Sequence, residues 1–128
     1  AQQCPSCASW NAPHAPVKLH GNTYYVGTDG LTALLITSPS GHVLIDGGLP
    51  ESAPLIVRNV EALGFRLTDI KLILNSHDHY DHAGGIAELA RLSGAEVAAS
   101  TPSAKTLRAG RSGPSDPQFA MILSFPPV

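Results

Sequence analysis

An α/β layered fold is predicted by three observations. Short apolar runs separated by turn residues fill the first third of the chain, helix-period and strand-period patterns alternate afterwards, and one strand-length run, Ile70 to Leu74, is apolar almost throughout. A run of that last kind suits a strand buried on both faces of a sheet.

Taken in order, residues 1–16 read as an irregular segment broken by Pro5, Pro13 and Pro16. Val17 to His20 and Thr23 to Val26 are predicted strands around the turn Gly21-Asn22, and Leu31 to Thr37 and His42 to Ile45 are strands around Pro39-Ser40-Gly41. Residues 51–63 carry Ile56, Val60 and Leu63 at helical spacing, and Gly64 stops the helix. After the strand Ile70 to Leu74 comes a polar burst, then a helix from about Gly85 to Ser93 with Gly94 as terminator. Val97 to Ala99 is a further strand. Thr101 and Pro102 read as the cap and first position of a third helix ending near Gly110. Residues 111–128 are a loop with an apolar end.

The 128 residues leave room for no more than one domain, to which 17–128 belong after the irregular segment 1–16. Eight basic and ten acidic side chains leave a formal charge of −2, which argues against nucleic acid or an anionic membrane surface as a partner. Apolar runs such as Ala33 to Ile36 are far short of the roughly 20 residues of a membrane span, so no membrane partner is expected. Hydrophobic residues are 43% and charged residues only 14%, against about 25% in an ordinary domain. That balance predicts more apolar surface than these elements can cover by themselves. Cys4 and Cys7 form a Cys-x-x-Cys that could be half a zinc site or a redox pair. A disulfide, with each other or with cysteines elsewhere, is the better fit because no second pair follows. An opening Ala-Gln-Gln without Met reads as a mature form after signal-peptide removal, which predicts a periplasmic or secreted protein.

The chemistry concentrates in Asn75-Ser76-His77-Asp78-His79-Tyr80-Asp81-His82, which holds three of the six histidines. The segment leaves a buried strand and enters a helix, so it lies at the carboxyl end of the sheet, where α/β folds place ligands. Imidazoles and carboxylates suit zinc, and alternation puts His77 and His79 on one side of an extended backbone. Asp81 and His82 follow once the chain has begun to turn and can face a second ion. Gly84-Gly85 permits close backbone approach at the helix start.

This His-x-His-x-Asp-His segment resembles the signature of the metallo-β-lactamase superfamily. Gly21 to Thr28, Gly41 to Gly48, His82 to Gly85 and Ser115 to Phe119 are further similar to class B zinc β-lactamases of the third subclass. The resemblance implies an αββα sandwich of which this chain forms about one αβ half. It implies two zinc ions, one on His77 and His79 and the other on Asp81 and His82, each completed by a histidine from a carboxyl-terminal half. It implies hydrolysis of a β-lactam amide by a water activated between the ions, with Asp81 holding that water. Asp46 resembles a buried acid that orients ligand imidazoles, with a plain turn aspartate as the alternative. Trp10 and Phe119 fall in segments that approach the site mouth in this family, where such a residue is more often packing than a substrate contact. Another hydrolase bearing the same motif, a glyoxalase II-like thioesterase or a lactonase, is the first alternative, and an inactive zinc-binding fragment is the second.

Overall fold

The computed structural model describes residues 4–128 and contains one six-stranded sheet with its strands in chain order. Strands β1 (Val17–His20), β2 (Thr23–Tyr25), β3 (Leu34–Ile36) and β4 (His42–Ile45) form an antiparallel meander. Strands β5 (Ile70–Leu74) and β6 (Glu96–Ala98) then add in parallel. Parallel addition needs crossovers, and helices α2 (Ala53–Ala62) and α4 (Ile86–Ser93) supply them.

The register explains the two faces of the sheet. Leu35, Leu44, Ile73 and Val97 align across β3 to β6 on one face, where the first three are fully buried. Ile56 and Val60 of α2 and Ile86 and Leu89 of α4 join them in a single core. Leu34, Ile45 and Leu74 align on the other face, as do Ile36, Val43 and Leu72, and all six are only half-buried. The helices thus cover one side of the sheet, and an apolar side remains less covered.

Several local expectations are refined. The irregular amino-terminal segment contains one helical turn, α1 (Cys7–Trp10), and Cys4 and Cys7 are bonded to each other. Residues 1–3 of that segment lie outside the described residues. A further turn of helix, α3 (Tyr80–Ala83), forms inside the polar burst. Helix α5 (Thr101–Ala109) is capped by Ser100, whose hydroxyl accepts from the Ser103 amide, and not by Thr101. Helices α4 and α5 stop at Gly94 and Gly110 in the left-handed conformation. The apolar end is tied down. Phe125 is buried, its amide donates to Gly110 O, and the Val128 amide donates to Leu107 O.

Candidate metal centre

Strand β5 ends at Leu74, and the chain turns at once into the histidine loop. Two ladder bonds continue past the strand, from the Asp46 amide to Leu74 O and from the Asn75 amide to Ala98 O. The loop therefore starts from a fixed point between β4 and β6.

Asp46 governs its course. It is 5% exposed and has φ +67°, a left-handed conformation that Asp tolerates better than most residues. That turn aims its carboxylate across the strand ends. Oδ1 accepts from the Ser76 amide at 2.7 Å and from Asn75 Nδ2 at 3.2 Å, and Oδ2 accepts from the Ser76 hydroxyl. His82 Nδ1 lies 4.0 Å from Oδ2, beyond hydrogen-bonding range. Asp46 is thus both a turn residue and a holder of the loop, and it acts on the Asn75 side chain and on Ser76 more directly than on an imidazole.

Two glycine pairs set the far side. The Gly47 amide donates to His82 O and the Gly84 amide donates to Gly48 O, which locks the turn after β4 against α3. A Cβ on Gly85 would stand 2.3 Å from Gly47 O, and one on Gly84 would stand 2.3 Å from Tyr80 O. Only glycine allows this approach.

On this frame the extended segment brings His77 and His79 together. His77 Nε2 and His79 Nδ1 are 2.8 Å apart, so both nitrogens face the same space. The first turn of α3 brings Asp81 Oδ2 to 3.4 Å from His82 Nε2. The two pairs adjoin, with the His77 and His82 ring centroids 4.9 Å apart. Imidazole nitrogens paired with each other and with a carboxylate fit the donor chemistry of zinc. Among the described residues, however, no three His, Cys, Asp or Glu side chains gather into one metal-holding group, so each pair is a partial site. His14, His20 and His42 stand elsewhere: His14 packs edge-on to Tyr25, His20 lies in β1, and His42 accepts from the Ser38 amide.

One contact was not anticipated. His79 Nε2 donates to Asp116 Oδ2 at 2.5 Å, joining the histidine loop to the segment after α5. Asp116 is fixed from its own side, since Oδ1 accepts from the Gln118 amide at 2.8 Å. That backbone bond, followed by the His79 bond, holds its carboxyl below the usual range. The Ser115 to Phe119 block stands out in the sequence, but nothing local marks its aspartate as a partner of His79. Tyr80 packs behind the loop, and burial, with the nearby Asp81 and Glu51 carboxylates, raises its phenol. Its hydroxyl is 3.3 Å from Cys4 Sγ, so the disulfide rests against α3.

The two aromatic candidates differ. Trp10 packs on Gly30, its carbonyl accepts from the Thr28 hydroxyl and the Gly30 amide, and these contacts are structural. Phe119 is 48% exposed and lines an open groove of about 810 Å³ that also includes Lys105, Arg111 and Ser115.

Comparisons with known proteins agree with this geometry. A family described as the metallo-beta-lactamase superfamily matches residues 19–126. The solved structure of Rm3 metallo-beta-lactamase superposes with a TM-score of 0.95 at 62% identity, covering 98% of this chain and 47% of that one. MEM-A1, described as a subclass B3 metallo-beta-lactamase isolated from a soil metagenome library, gives a TM-score of 0.91 at 57% identity over 93% of this chain and 45% of its own. Among curated proteins, a hydroxyacylglutathione hydrolase of Bradyrhizobium sp. (strain ORS 278) is 46% identical over 63 residues, which is 49% of this chain and 23% of the relative. The probable metallo-hydrolase YflN of Bacillus subtilis (strain 168) is 38% identical over 55 residues, 43% of this chain and 21% of its own. The chain thus spans about half the length of the solved structures and under a quarter of these curated relatives.

Proposed function

Because the chain belongs to the metallo-beta-lactamase superfamily, a hydrolase family, we propose that the protein hydrolyses the amide bond of β-lactams once a carboxyl-terminal half completes its metal centre. The carrying observation is 62% identity to a metallo-beta-lactamase across nearly the whole chain, with two donor pairs at the carboxyl end of the sheet. In this reading His77 and His79 hold one zinc, and Asp81 and His82 hold a second. Zinc so bound supplies Lewis acidity to the amide carbonyl and lowers the pKa of water. Asp81 accepts a hydrogen bond from the attacking water and orients it. Asp46 keeps the loop in place through Asn75 and Ser76. Phe119 offers an apolar contact at the mouth, and Trp10 packs on Gly30 without a substrate role. The half-covered sheet face carrying Leu34, Ile36, Val43, Ile45, Leu72 and Leu74 is where the completing layer packs.

A periplasmic or secreted location and a role in antibiotic resistance belong to the same proposal. The Cys4–Cys7 disulfide supports the location, because such bonds persist in oxidising compartments. No described helix is long and apolar enough to cross a membrane.

Thioester hydrolysis of the glyoxalase II kind is the second reading, favoured by the hydroxyacylglutathione hydrolase match. Turnover of a cephalosporin and of a glutathione thioester by the full-length protein separates the two. Cephalosporin turnover that a chelator abolishes, zinc restores and serine-acylating inhibitors leave intact is expected. Thioester turnover without cephalosporin turnover overturns the β-lactamase reading.

A further inference from the structure

We infer that Asp116 is a positioning residue for the metal centre, fixing which nitrogen of His79 is free to bind the ion. The inference rests on the zinc-binding reading of His77 and His79.

The argument begins with the imidazole. A neutral histidine has one N–H and one bare nitrogen, and the hydrogen bond at the first decides which atom is left to ligate. His79 Nε2 faces Asp116 Oδ2 at 2.5 Å, and a carboxylate can only accept, so the neutral ring carries its proton on Nε2. Nδ1 is then bare, and Nδ1 is the atom that stands 2.8 Å from His77 Nε2 in the shared donor space. Both side chains are mostly shielded, 14% exposed for His79 and 18% for Asp116, which strengthens the bond relative to one in open water.

The carboxylate is itself held. The Gln118 amide donates to its Oδ1, the Asp116 amide donates to Gly113 O, and the Phe119 amide donates to Asp116 O. A tight turn over residues 113–119 therefore presents Oδ2 of this carboxylate to one imidazole. Asp46 does not do the same work, since its bonds go to Asn75 and Ser76. The contact also spans 37 residues, from the loop after β5 to the segment after α5. The same turn carries Phe119, which lines the groove.

The test uses the full-length protein with D116N and D116A, and zinc alone as the probe. Zinc affinity is read by competition with a chromogenic chelator, and the His79 tautomer by nitrogen-15 histidine NMR of the zinc-free protein. The expected result is zinc affinity about 10–100-fold weaker in D116A at the tighter site, with the His79 spectrum shifted from a pure Nε2–H form to a mixture. D116N, which retains one acceptor oxygen, is expected to fall between D116A and the parent and decides the matter if D116A does not fold. Affinity within threefold of the parent overturns the inference, and so does weakened affinity with an unchanged His79 tautomer. A parent protein whose zinc does not depend on His77 and His79 overturns instead the metal reading on which the inference stands.

Discussion

Asp46 shows how much can depend on one carboxylate. It is buried, left-handed, and accepts from an amide, a hydroxyl and a side-chain amide of the loop that carries the histidines. Hydrogen bonds to a charged group contribute about 1.5–3 kcal/mol each, and an alanine here would also be strained. D46A is therefore expected to destabilise the full-length protein by about 3 kcal/mol in urea unfolding and to weaken zinc binding. D46N, which tolerates the turn and keeps an acceptor, should lose less than half as much. Gly85 makes a complementary case. A methyl group there meets Gly47 O at 2.3 Å, a backbone atom that can yield only if the turn after β4 shifts. G85A is expected to cost about 1–3 kcal/mol by overpacking and to lower zinc content at a fixed metal concentration.

The elements hold the site through their joints. Asn59, buried in α2, donates to Val26 O and Gly27 O at 2.9 and 3.1 Å, tying the first crossover helix to the end of β2. Truncation leaves two buried carbonyls without donors, so N59A is expected to cost about 2 kcal/mol in the urea midpoint analysis of the full-length protein. On α4, Leu89 is 1% exposed in the core beside Ile73 and Ile86. L89A is expected to cost about 2–5 kcal/mol. The elements were largely legible in the sequence because their signals are local. Apolar Ile70 to Leu74, the spacing of Ile56 and Val60, and the stops at Gly94 and Gly110 all act within a few residues. The cap of α5 lies one residue before the position the sequence suggests, because Ser100 and Thr101 are both good caps before Pro102. Helices α1 and α3 are single turns, too short to leave a period. The Asp116 to His79 bond had no local signal at all, since turn residues and chain distance say nothing about which imidazole a loop will reach.

At the scale of the molecule the sheet is two-sided, and its two sides differ. Helices α2 and α4 contribute to a core that buries Leu35, Leu44 and Ile73, while the opposite aliphatic rows are only half-buried. Contiguous apolar surface of this kind drives association when nothing covers it. Residues 1–128 prepared alone are expected to self-associate in sedimentation velocity and to bind zinc more weakly than the full-length protein. V43E, placed on the open rows, should shift that preparation towards monomer. A monodisperse monomer without the substitution would contradict the proposed packing layer.

Strand order that follows chain order also has a meaning in time. Each strand of this sheet pairs with the one made just before it, so the sheet can be laid down progressively as the chain leaves the ribosome, without waiting for a distant partner. Asp46 and its turn exist before β5 arrives, and they can receive Ser76 as soon as it emerges. Asp116, 37 residues after His79, is the last of these partners to emerge. Synthesis order and the order of strands across the sheet coincide.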